Sequence, residues 1–185
     1  MAHTDTTEQA KRRTRRPTRS KRAVEKVVRG YFDAMARRDP DAMATYWRED
    51  GVDEVVPVGV FRGPDAIRAL FAEIMSAVPD LEMSVQRLVA DTRQAAVEWR
   101  LTGTFDGGPF QGIDPTGRRV ELRGLDLFEV EDGKLMRGTG YYDGAEFGRQ
   151  VGMLPAQDSG AERAMKGALN AVTRVRKAVD ERRGA

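Results

Sequence analysis

The stretch Arg123-Gly-Leu-Asp-Leu-Phe-Glu-Val130 places a carboxylate, Asp126, in a segment that otherwise reads as a buried strand. Val120, Leu122, Phe128 and Val130 share its parity, and a strand sends every second side chain to one face. Asp126 therefore points where the apolar row points. A charge on an apolar face must be paired, neutralised by a proton, or put to use. The functional reading is a cavity carboxylate with a raised pKa, a general base or polar anchor. The structural alternative is a buried Asp satisfied by a Tyr hydroxyl or an Arg.

Composition narrows the chemistry open to it. The chain of 185 residues has no Cys and a single His, His3. Disulfides, thiol nucleophiles, Ser-His-Asp machinery and histidine-ligated metal sites are excluded. Acid–base work falls to Asp, Glu, Lys, Tyr or water, and neither a metal nor another cofactor is expected. No apolar run approaches the ~20 residues that span a bilayer, and no apolar segment follows the basic N-terminus as in a secretory signal. No membrane partner is expected, and the cytoplasm is the default compartment.

The net charge of +2 hides an asymmetry. Residues 1–22 carry eight Lys/Arg and two acids, whereas the remainder carries 23 basic and 27 acidic residues. The first segment lacks an apolar pattern and reads as a disordered tail. It is either a solubilising tail or a weak tether to nucleic acid. Three parts are expected: residues 1–22 as the tail, 23–156 as one domain and 157–185 as a helical extension.

Apolar residues from Val24 to Met35 repeat at helical spacing. A second helix is expected from Pro40, capped by Asp39 and ended by Gly51. The run Val52–Phe61, broken by Pro57, suits a short edge strand. A third helix follows from Pro64 to a point before Pro79. Three longer strands then alternate: one through Leu81, Met83 and Val85, one through Val97, Trp99 and Leu101, and the Asp126 strand. A last strand returns through Lys134–Tyr142 after the hairpin Glu131-Asp-Gly-Lys134. Asp143 opens a short helix reaching about Leu154. Ser159 and Glu162 open a long final helix whose stripe is Met165, Leu169, Val172, Val175 and Val179. That stripe either packs on the domain or makes a homodimer.

This order implies an α+β fold, a strongly curved antiparallel sheet covered by N-terminal helices and enclosing a pocket. If Gly133 forms a bulge in the hairpin, Asp126 faces Gly138, Gly124 faces Gly140, and Met136, Gly138, Gly140 and Tyr142 point inward. With a plain two-residue turn, Asp126 faces Thr139 instead. The bulge is the preferred reading. Tyr142 is then a pocket candidate. Trp47, Trp99 and Phe128 are pocket wall or core, and Tyr31 and Tyr46 sit on helices where they could offer hydroxyls. Glu98, Arg100 and Arg123 face the other way. The glycines of Asp106-Gly-Gly-Pro-Phe-Gln-Gly112 lack phosphate-loop spacing and shape a pocket rim.

The segments Val27–Trp47, Phe61–Val85 and Gly103–Pro155 resemble the SnoaL-like polyketide cyclases of the nuclear transport factor 2-like superfamily. The most specific pieces are Phe110–Arg118, the Glu129–Leu135 hairpin and the helix after Asp143. The resemblance implies a cone-shaped fold and cofactor-free ring closure, in which an aspartate takes the proton alpha to a carbonyl. It puts Asp126 at the polar position that helps hold the enolate. The aspartate itself should precede the aromatic pair before Asp143, and that residue here is Gly140. Two function classes follow. One is a cofactor-free cyclase, isomerase or hydrolase acting on a small, mostly apolar, carbonyl-bearing ligand. The other is a non-catalytic ligand-binding or dimerisation module.

Overall fold

The computed structural model describes residues 20–183, so the expected tail lies almost wholly outside the described residues. Helix α1, Lys21–Ala36, starts where the Ser20 side chain accepts the Ala23 N–H, and it buries Val24, Val28, Tyr31, Phe32 and Met35. Helix α2, Pro40–Ala44, is capped by Asp39 as its sequence predicts. It does not continue to Gly51. The chain turns extended as strand β1, Trp47–Val56. Burial overrides the helical reading: Trp47, Gly51 and Asp53 enter the interior, and the Val-rich end suits a strand.

Strand β2, Gly59–Arg62, folds back on β1 after a cis Val56–Pro57 bond. Helix α3, Gly63–Ala77, then buries Ile67, Leu70 and Met75. Strands β3, Glu82–Ala90, β4, Gln94–Phe105, β5, Arg118–Glu131, and β6, Lys134–Tyr142, form the meander that alternation predicts. Helix α4, Gly144–Val151, is capped by the Asp143 carboxylate and ended by left-handed Gly152, short of Leu154. Helix α5, Gly160–Arg183, completes the described chain.

The six strands make one curved, unclosed sheet in the order β2-β1-β6-β5-β4-β3. Strand β1 is thus not an edge, because β2 takes that place and Pro57 lies in the turn between them. The pairing of β1 with β6 is parallel, the one departure from an antiparallel sheet among the described strands. The core lies between α1, α3 and the inner sheet face.

The β5–β6 register differs from the sequence expectation. Asp132 and Gly133 both have positive φ and make a two-residue turn, which pairs Glu131 with Lys134 and Val130 with Leu135. The register then shifts by one residue at Met136, so that Glu129 pairs with Arg137. The bulge exists, but after the turn rather than at Gly133. Phe128 therefore faces Gly138, Asp126 faces Gly140 and Gly124 faces Tyr142. Because the extra residue restores parity, Gly138 and Gly140 remain inward and buried. Met136 is only half-buried, and fully buried Leu135 takes the inward place expected of it.

Candidate functional site

Strand β6 runs between β1 and β5, and its inward row carries two residues without side chains. Each is flanked by a carboxylate. Asp53 on β1 pairs with Gly138, and its Oδ1 occupies space that a Cβ on Gly138 would need. Asp126 on β5 pairs with Gly140, and its Oδ1 lies 2.8 Å from the place a Cβ there would take. The two glycines are slots that admit the neighbouring acids.

Both acids line a cavity of about 110 Å³. Phe71 and Ile74 of α3, Trp99 and Leu101 of β4, Leu122 of β5 and Phe110 contribute apolar wall. The ionisable groups on the lining are Asp53, Asp126 and Tyr142. Asp126 is half-buried and lines the cavity.

Trp99 is placed by its pairing with Gly124, where any Cβ would collide with the indole. The ring can thus cross β5, and its N–H donates to Asp126 Oδ1 at 2.8 Å. Burial pushes the Asp126 carboxyl up to about 7; the Trp99 N–H opposes the rise and the Asp53 charge adds to it. Asp53 is 4% exposed, and burial alone raises it to about 7. The Tyr142 hydroxyl is raised by burial, and its hydrogen bond with the Gln111 side chain opposes that.

Of the residues singled out in the sequence, Asp126, Trp99, Gly140 and Tyr142 line the cavity. Tyr31, Trp47, Phe128 and Gly138 do not. Tyr31, Trp47 and Phe128 stack edge to face, with Tyr31 ring centroids 6.0 Å from Trp47 and 5.6 Å from Phe128. They close one end of the interior as packed core, and Gly138 lies against Trp47 and Asp53. Burial, then the charges of Asp53 and Asp126, raise the Tyr31 hydroxyl well above its ordinary range. The Trp47 N–H is directed toward that hydroxyl without reaching full hydrogen-bond geometry. Tyr46 is half-buried in the turn after α2 rather than on a helix.

Asp53 is the residue that sequence reasoning missed. Its parity with Gly51 and Val55 carried the signal, but only for a reader who had already taken Trp47–Val56 as an internal strand. Among the described residues, no group of three or more His, Cys, Asp or Glu is placed to hold a metal ion. No helix of the described residues is long and apolar enough to cross a membrane.

Solved structures share this fold. The fold is similar to AclR, a candidate hydroxylase of Streptomyces galilaeus, at TM-score 0.66 and 22% identity over 90% of this chain and 99% of that one. It is similar to TsrD of Streptomyces laurentii at TM-score 0.64 and 26% identity, covering 72% of this chain and 97% of that one. A ketosteroid isomerase-like protein of Catenulispora acidiphila, solved with trimethylamine, matches at TM-score 0.59 and 17% identity, covering 72% of this chain and 96% of that one. The SnoaL-like polyketide cyclase family model matches residues 25–151. The chain belongs to the SnoaL-like polyketide cyclase family.

Proposed function

We propose that this protein is a cofactor-free acid–base enzyme of cyclase or isomerase type, acting on a small, mostly apolar, carbonyl-bearing ligand through Asp126. One observation carries the reading. The resemblance expects the proton-abstracting aspartate at residue 140, which is glycine, yet Asp126 Oδ1 lies 2.8 Å from where that side chain would begin. A carboxylate delivered from β5 stands in for one on β6. Its pKa near 7 suits a base at neutral pH. The apolar wall suits a hydrocarbon frame, and the volume suits one small ring, since a dry cavity of ~150 Å³ binds benzene.

The chemistry is enolisation. The Asp126 carboxylate takes a proton from the carbon beside a carbonyl, the C–H pair becomes a C=C bond, and charge moves to oxygen. Isomerisation returns the proton elsewhere, and cyclisation uses the carbon to attack a second carbonyl. The second reading, a non-catalytic binding module, is favoured by the missing acid at Gly140 itself. A simple β,γ-unsaturated ketone, cyclohex-3-enone, separates the two. Conversion to the conjugated isomer should fall on the order of 100-fold or more in Asp126→Asn. Saturable binding without turnover in the wild type would establish the binding module instead.

A further inference from the structure

Asp126 is one of two carboxylates that line the cavity. Asp53 is the more buried acid, lines the same cavity and has no assigned role. The two sit on strands flanking β6, in adjacent glycine slots, close enough for a charge on Asp53 to be felt at Asp126. Their surroundings differ. Asp126 accepts the Trp99 indole N–H, which favours its anion. Burial raises both acids and favours their protonated forms, but at Asp53 it acts with no opposing hydrogen bond. No Lys or Arg lines the cavity to hold both as anions. Two acids in such different settings separate into a proton acceptor and a proton donor.

Building on the reading of Asp126 as base, we propose that Asp53 is the protonated partner, which donates to the substrate carbonyl oxygen while Asp126 removes the α-proton. The step balances. The C–H pair forms the new C=C bond, and the carbonyl π pair moves to oxygen. Oxygen takes the Asp53 proton and gives it back to Asp53 as the carbonyl re-forms, while Asp126 holds the carbon's proton until it is returned to the product at another carbon. Nothing is oxidised or reduced. The substrate class is thereby narrowed to compounds with an enolisable ketone whose oxygen reaches the β1 side of the cavity and whose acidic carbon reaches the β5 side. The other titratable groups near the pair are Tyr31 from α1 and Tyr142 from β6, both raised and neutral through the working range.

The test has two arms on the intact chain. In the first, carboxyl carbons of labelled Asp are followed by NMR across pH without ligand. Asp126 should ionise first. Asp53 should ionise second, at lower pH in Asp126→Asn, because the opposing charge is gone. Trp99→Phe should move the Asp126 step upward. Ionisation of Asp53 before Asp126 in the wild type overturns the assignment, and that comparison needs no variant to fold. In the second, cyclohex-3-enone turnover should be bell-shaped in pH. Asp53→Asn should lower kcat at least tenfold with little change in KM and abolish the high-pH limb. Asp53→Leu, which has no donor, should fall further. An unchanged high-pH limb in Asp53→Asn overturns this proposal and leaves Asp126 as base. Absence of wild-type turnover overturns both.

Discussion

The β5–β6 wall and α5 carry the same kind of sequence signal, an apolar row at regular spacing, and end in opposite surroundings. On β5, Val120, Leu122 and Phe128 are buried, and the row encloses Asp126. On α5, Met165, Leu169, Val172, Val175 and Val179 are 41–66% exposed. Periodicity identifies a face but not what covers it. A strand has neighbours imposed by the hydrogen-bond ladder, and its apolar face is closed by whatever the sheet wraps around. A helix satisfies its own backbone, so its apolar stripe can stand alone.

The largest expected difference between the two regions is in pH dependence. Asp53 and Asp126 have folded pKa values near 7, above the ~3.9 of an unfolded Asp. The folded state holds the extra protons, so these groups cost nothing below about pH 4, and stability falls as pH rises toward 7. The penalty is about 4 kcal/mol for each carboxyl that ionises in place. Urea unfolding at pH 4.5 and pH 8 should expose the decline, and Asp126→Asn should reduce it and raise stability at pH 8. A flat profile in the wild type would break the contrast at its strongest point.

Gly124→Val comes next. A side chain there overlaps the Trp99 indole, and overpacking of this kind costs about 3 kcal/mol. The cost should appear as a lower denaturation midpoint, together with loss of the indole–Asp126 hydrogen bond seen as an upfield shift of the indole proton. Gly167 on α5 has nothing within 4 Å of an added Cβ. Gly167→Ala should strengthen the helix by up to about 1 kcal/mol, seen as greater helical ellipticity without change at the cavity. The smallest effect is expected for Leu169→Gln, at 65% exposure. If no second copy covers the stripe, unfolding stability should change by under about 0.5 kcal/mol. A larger loss that depends on protein concentration would reveal that the stripe is covered by a second copy.

Much of the fold was legible because its segments are long and regular. The stripe from Val24 to Met35 and the alternation through Val97, Trp99 and Phe105 each point to one face. The segment after Ala44 was not legible. Trp47 to Val56 includes Arg48, Glu49, Asp50, Asp53 and Glu54, and no local rule announces that such a charged run lies inside a sheet. Its place is fixed by parallel pairing with β6, nearly ninety positions along the chain. The same long-range pairing hid Asp53. Asp126 was legible because its own strand is otherwise apolar. Its partner across the hairpin was not, because the position of a one-residue bulge depends on the Met136 backbone rather than on the turn sequence.

The closeness of the Asp126 carboxylate to Gly140 has a consequence for how this site can change. Positions 126 and 140 share one volume: an acid on β5 requires an empty place on β6, and an acid on β6 requires that β5 withdraw. Gly140→Asp alone would press a second carboxylate onto Asp126 Oδ1. Asp126→Gly alone would empty the place of any acid. The two substitutions together would move the carboxylate from one strand to its neighbour with little change in where it stands. The two positions are therefore coupled as a pair, and each single change is a poorer state than either end. A protein that begins with one arrangement is held there by sterics, even though both arrangements put a carboxylate in nearly the same place.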